Sequence, residues 1–251
     1  MKLAELLESV DAYKTELQEK EAWDILNKHC KDALENPDAP IMRGLTWIEK
    51  GFAKIDGSVG NRKSQHTTNF YTTILDAVLS SDFPKRSKSI ICANWKNRAH
   101  ANNYGKLYAI IPYDGVKIAV CPEFDIWETK ITFGKSTKRI VEWNSEFAKL
   151  GISDDVSFDE LAKILNERAL NSSKPQWLRA FKIDSGKVLQ EAYRKPFVVT
   201  TTKNPVYNDG GKHELWIGGP CIAVDAEIYR KIMKNPPYAM SHDNPAPSWF
   251  K

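Results

Sequence analysis

His213-Glu214-Leu215-Trp216-Ile217-Gly218-Gly219-Pro220-Cys221-Ile222-Ala223-Val224 is a pair of short apolar runs on either side of a Gly-Gly-Pro joint. Apolar runs of this length, bounded by Gly and Pro, read as buried strands, and the joint reads as a turn. One residue, Glu214, interrupts the apolar character at the head of the first run. Set before Leu215, Trp216 and Ile217, its carboxylate reads as an inward polar group rather than an edge residue facing water.

Working outward, further short strands are expected over residues 41–48, 89–93, 106–112, 116–121 and 197–202. Two of them also carry polar groups among apolar neighbours, Arg43 in Ile41-Met42-Arg43-Gly44 and the serines of Arg86-Ser87-Lys88-Ser89-Ile90. Helices are expected over 68–79 and over 158–170, the latter opened by the capping box Ser157-Phe158-Asp159-Glu160. Strand and helix do not alternate regularly, so a doubly wound parallel sheet is not expected. There is no GxGxxG and no GxxxxGK[ST], which argues against nucleotide binding on a Rossmann unit or a P-loop. The class is α+β.

The N-terminus reads as two helices. Leu3, Leu6, Leu7, Val10, Tyr13 and Leu17 share one face of the first, and the second runs over 21–34. Asn36-Pro37-Asp38-Ala39-Pro40 then breaks the pattern. Residues 1–40 are therefore expected to be a helical cap, and 41–251 the main domain. The tail from Asn235-Pro236-Pro237 onward reads as irregular.

Charge divides along the same line. Residues 1–40 hold five Lys and ten Asp or Glu, whereas the rest carries a net +9. A basic body attracts polyanions, among them dinucleotides, nucleic acids and acidic proteins. The four cysteines, at 30, 92, 121 and 221, form no CxxC pair, so no metal site is expected. Cys92, Cys121 and Cys221, each in a strand-like apolar run, read as buried free thiols, which suits a reducing cytoplasm. No apolar run is long enough for a membrane span, and no signal peptide is read at the start.

Taken together, these stretches resemble the R-S-E class of mono-ADP-ribosyltransferases, including its toxin and bacteriophage members, over roughly residues 41 to 230. The Arg-Gly of that class resembles Arg43-Gly44, and its Ser-x-Ser strand resembles Ser87-Lys88-Ser89. Ala101-Asn102-Asn103-Tyr104-Gly105, followed by a strand ending at Pro112 and by Gly115, is similar to its next segment. Its catalytic Glu, at the head of a strand before a Pro/Gly turn, resembles Glu214.

The resemblance implies two small, mostly antiparallel sheets forming a cleft for NAD, which serves as substrate, with no metal. It implies transfer of ADP-ribose to a macromolecule, by default a protein side chain. A nucleic-acid acceptor, NAD hydrolysis and a catalytically inactive binding module are the alternatives. It implies a bacterial host cytoplasm if the chain is phage-encoded. Glu214 would stabilise the cationic sugar, Arg43 would fork onto phosphate, and Ser87 would hold Glu214 or the ribose. Gly44, Ser89, Asn94 and Tyr104 would complete the NAD site, with Trp95 near the pocket and His213 near the acceptor. Many arginine-modifying members carry Glu two residues before the catalytic Glu, and several others carry Gln. Lys212 stands there in this chain, so the acceptor is left open.

Overall fold

The computed structural model describes residues 14–60, 62, 68–171, 175–194 and 196–234. Most of the expected first helix, most of the basic stretch Asn61–His66 and the tail from Asn235 lie outside the described residues.

The described residues open with β1 (Lys14–Glu16), followed by α1 (Glu19–His29) and α2 (Lys31–Glu35). Lys14–Glu16, expected to be helical, is instead a strand paired with β3 (Phe52–Asp56), because a free sheet edge offers its backbone a ladder. In α1, Glu19 and Glu21 in the first turn and Lys28 and His29 in the last complement the helix dipole, while Ala22 and Leu26 are buried. Between α2 and β3 comes β2 (Ile41–Leu45), and then α3 (Phe70–Val78), β4 (Ile90–Asn94) and α4 (Arg98–Asn102). Next are β5 (Lys106–Pro112), β6 (Ile118–Val120) and the hairpin of β7 (Lys130–Phe133) and β8 (Ser136–Arg139). The helices α5 (Ile140–Lys149), α6 (Phe158–Ala169) and α7 (Ser185–Arg194) follow, with the Ser157 hydroxyl accepting the Glu160 N–H at the head of α6, one half of the expected capping box. The described residues close with β9 (Val198–Thr200), β10 (Glu214–Ile217), β11 (Pro220–Asp225) and α8 (Ala226–Lys234).

Among the described residues nine strands form one antiparallel sheet in the order β1-β3-β11-β5-β2-β4-β10-β6-β9. The fold is thus α+β with one large sheet and a separate hairpin, not the two small sheets expected. The reason lies at its middle. β2 pairs with β5 at five positions and β4 pairs with β10 at four, but β2 and β4 pair only at Ile41↔Asn94 and Met42↔Ala93. That two-residue ladder joins two well-paired halves. Their inner faces also pack together: Ile41, Tyr108, Ile110 and Cys221 of one half share an apolar cluster with Cys92 and Leu215 of the other. Helix α1 covers the outer face of the first half. Helices α3, α5, α6 and α7 bury Ile91, Ala119 and Trp216 on the second.

The Gly-Gly joint is not a hairpin. β10 pairs with β4 and β6, and β11 with β3 and β5, so Gly218-Gly219 carries the chain from one half to the other. A Cβ on Gly218 would collide with Pro84, which is why the crossing needs Gly.

Candidate functional site

Beyond Met42 the strands β2 and β4 part, and Arg43 is the next residue. Its guanidinium replaces the missing ladder: Nη1 donates to the Ile91 carbonyl at 2.5 Å. The guanidinium also lies 5.4 Å from the centre of the Tyr104 ring. Burial lowers the Arg43 pKa, opposed in part by Cys92, Tyr104 and Glu214, and its Nε has no hydrogen-bond partner among the described residues. Gly44 follows because α4 crosses directly over it. A Cβ there would overlap the Ala101 carbonyl and come within 2.9 Å of the Gly105 nitrogen.

Glu214 heads β10 and is 5% exposed. Arg86 Nη2 donates to its Oε1 at 3.1 Å and Trp216 Nε1 to the same oxygen at 2.7 Å. The Ile126 N–H donates to Oε2 at 3.2 Å. Burial alone would raise the carboxyl's pKa, but Arg86 and these donors outweigh it and hold the group below its usual range. Glu214 is therefore an anion at neutral pH although it is dry.

Arg86 is the residue that sequence reasoning missed. Lys85-Arg86-Ser87-Lys88 reads as a solvated basic run, yet Arg86 is 5% exposed. Its guanidinium lies 4.8 Å from the Tyr71 ring and 5.6 Å from the Trp216 ring, and Nη1 approaches the Tyr71 and Thr72 hydroxyls at 3.3 Å. Burial works against its charge, but Tyr71 and Glu214 raise its pKa further still. The aromatic and hydroxyl pair Tyr71-Thr72 on α3 was the available signal that an inward cation needed partners.

The serines stand differently from expectation. Arg86–Lys88 is a 3-10 turn, and the strand begins only at Ile90. Asp76 on α3 causes this, because its carboxylate accepts the N–H groups of both Arg86 and Ser87. Ser89 Oγ donates to the Lys85 carbonyl at 2.7 Å and closes the turn. From this turn it is Arg86 that reaches Glu214, while Ser87 lines a cavity of about 200 Å³ with Arg62, Thr72, Asp76 and Asp154. The Arg62 N–H donates to the Ser87 carbonyl at 2.6 Å. Desolvation and the like charges of Arg86 and Arg43 pull the Arg62 pKa down to about 10. Arg43, Arg62 and Arg86 thus form a cationic group around one carboxylate.

Asn94 serves the backbone. Its Nδ2 donates to the Tyr207 and Gly211 carbonyls at 2.9 and 2.8 Å, and its Oδ1 accepts the His213 N–H at 3.1 Å. It pins the loop that delivers Glu214. With Trp95 it also lines a separate cavity of about 340 Å³. His213 is buried, its Nδ1 2.8 Å from the Cys121 carbonyl and its Nε2 2.9 Å from Asp209. Tyr104 stands at the end of α4, its hydroxyl 3.5 Å from His100 Nε2.

All four cysteines are free and buried. Burial pushes the Cys30 and Cys92 thiols up to about 12, so neither is a nucleophile at neutral pH. Among the described residues no group of three or more His, Cys, Asp or Glu is placed to hold a metal ion. Among the same residues no helix is long and apolar enough to cross a membrane.

Comparison with family models, with curated proteins and with solved structures finds no match to this chain.

Proposed function

We propose that this protein transfers ADP-ribose from NAD to a macromolecular acceptor at the buried charged cluster of Arg43, Arg86 and Glu214. The observation that carries the reading is the adjacency of β2, β4 and β10. These three strands bring Arg43, the Arg86–Ser89 turn and Glu214 from distant stretches of sequence to one place. Breaking the bond between nicotinamide and ribose develops positive charge at the sugar. A preorganised, desolvated carboxylate stabilises that charge without reorganising, and Glu214 has both properties. Arg43 and Arg62 supply cations for a pyrophosphate, and the planar guanidinium suits a bidentate grip. Tyr104, already under the Arg43 cation, offers a flat face for a base.

Ser87 takes a modest part in this reading. Its turn aims Arg86 at Glu214, and its own hydroxyl borders the neighbouring cavity. A protein side chain is the default acceptor, and a nucleic acid is the next, favoured by the basic body. A second reading, a binding module without turnover, is favoured by the burial of Glu214 beneath Arg86.

Incubation of the pure protein with labelled NAD and a cell lysate separates these. Transfer predicts nicotinamide release with label on a macromolecule, and protease or nuclease digestion identifies its class. Release without labelled macromolecule indicates hydrolysis. NAD binding without release indicates the module. Under the transfer reading Glu214→Gln lowers the rate at least ~100-fold, the scale of a lost preorganised electrostatic group. Near-parental turnover in that variant removes Glu214 from the mechanism.

A further inference from the structure

We propose that Asp125 is the base that takes the proton from the acceptor nucleophile in this site. The inference rests on the transfer reading above and adds a second carboxylate to it.

Two carboxylates share one turn. The 3-10 turn Ile126–Glu128 begins with the Ile126 N–H, which donates to Glu214 Oε2 at 3.2 Å. Asp125, one residue earlier, accepts the Trp127 N–H on Oδ1 at 3.0 Å. The backbone thus fixes both acids relative to each other. Their exposures differ. The Glu214 side chain is 7% exposed beneath Arg86, whereas that of Asp125 is 23% exposed, on the outward side. Beyond Asp125 stands His100, with Nε2 3.8 Å from Asp125 Oδ2 and 3.5 Å from the Tyr104 hydroxyl. Tyr104 leads back to the Arg43 guanidinium. Arg43, Tyr104, His100, Asp125 and Glu214 therefore form a chain of neighbouring groups, linked through side-chain contacts and the Ile126 turn.

The two environments divide the labour. Arg86 and the donors of Trp216 and Ile126 keep Glu214 ionised against the cost of burial. Burial first, and then the Glu214 charge, push Asp125 upward, while the Trp127 N–H, His100 and Arg86 pull the other way. Neighbouring acids whose environments separate their proton affinities take separate roles. The firmly anionic one faces the developing cation. The one that binds a proton more readily accepts it from the nucleophile.

The step balances without a further reagent. A neutral acceptor X–H attacks the ribose C1′, and the X–C1′ bond forms. The X–H proton passes to the Asp125 carboxylate. The C1′–N bond breaks, and its electron pair leaves with nicotinamide. An acceptor with no proton to lose needs no base, and that property supplies the test.

Nicotinamide release is measured for the full-length parent, Asp125→Asn and Glu214→Gln, with and without sodium azide. Asparagine keeps an oxygen to accept the Trp127 N–H, so the turn survives. Loss of a general base lowers the rate by ~100-fold or more. Azide should restore most of that loss in Asp125→Asn and form the azido sugar, because it attacks as an anion. It should leave Glu214→Gln slow, because bond cleavage still lacks its countercharge. An Asp125→Asn protein as fast as the parent, or a slow one that azide does not accelerate, overturns the proposal while the transfer reading stands. A parent that releases no nicotinamide overturns both. If Asp125→Asn does not fold, the parent's pH profile decides. Activity should rise with pH through an ionisation above the ordinary aspartate range, and an acid limb without such a step overturns the proposal.

Discussion

Arg86 and Glu214 meet at 3.1 Å with side chains only 5% and 7% exposed. A buried pair of this kind adds little net stability over an apolar pair of the same shape, because both charges are desolvated. Removing one partner is another matter. Arg86→Met leaves the Glu214 anion in a dry pocket beside Trp216, and a loss of about 3–5 kcal/mol at neutral pH is expected. The sign with pH follows from the parent. The Glu214 pKa is lower in the folded state, so its contribution is present above the unfolded carboxyl pKa and disappears as pH falls through the folded one. Without Arg86, burial dominates and the carboxyl prefers its proton. The cost of the substitution should therefore shrink on acidification. Urea unfolding of parent and variant at neutral pH and near pH 4 measures this, and an equal penalty at both would show that Arg86 acts through packing alone.

Strand β2 turns sequence into a site because it must open at a defined place. Gly44 lets α4 lie on the strand, and Arg43 spans the gap to β4. Gly44→Ala inserts a methyl group against backbone, which cannot swing aside as a side chain can. Overpacking of this kind costs about 1–3 kcal/mol, and here it also displaces the Arg43 strand from Tyr104. Thermal melts with NAD titration should show lower stability and weaker NAD binding together; a stable variant with parental affinity would disprove the coupling. The same elements show what the sequence could reveal. Strands β4, β5, β6, β10 and β11 were legible because each is a short apolar run with turn residues near its ends. Strands β1 and β3 were not, because Lys14-Thr15-Glu16 is a polar edge segment and Phe52-Ala53-Lys54-Ile55-Asp56 a mixed one, both ordered by pairing. Glu214 was legible as a lone carboxylate among apolar residues. Arg86 was not, because Lys85 and Lys88 beside it are exposed, and only the fold assigns one cation of the three to the interior. Asp125-Ile126-Trp127-Glu128 reads only as a single DxxE without partners, because Glu214 lies 89 positions beyond Asp125 in the sequence. The single sheet was hidden because a two-residue ladder leaves no mark on composition.

At the scale of the molecule, residues 14–40 of the acidic N-terminal segment pack as part of the body. Lys14, Thr15 and Glu16 extend the sheet beyond β3, and the Leu17 N–H donates to the Phe52 carbonyl at 3.0 Å. Leu17, Ala22, Leu26 and Cys30 share an apolar cluster with Met42, Ile111 and Ile222 of the sheet. The His29 ring stacks on Tyr113 with centroids 5.2 Å apart, and the Asp114 carboxylate accepts the Lys31 and Asp32 N–H groups. Each buried Leu is worth roughly 1.5–3 kcal/mol against exposure, and an ordinary domain is stable by only about 5–15 kcal/mol. Deletion of residues 1–40 exposes the outer face of the first half of the sheet and removes a strand from its edge. The truncated chain should therefore melt well below the parent or fail to fold, with no gain in nicotinamide release. A segment acting only as a lid over the basic site would behave in the opposite way: its removal would spare the melting temperature, raise turnover and strengthen binding to polyanions at low salt. Burial of Leu17 and Leu26 in the same core as Met42 favours the first outcome, since Met42 immediately precedes Arg43, the residue proposed to grip NAD. A truncated protein as stable as the parent and clearly more active would overturn this assignment.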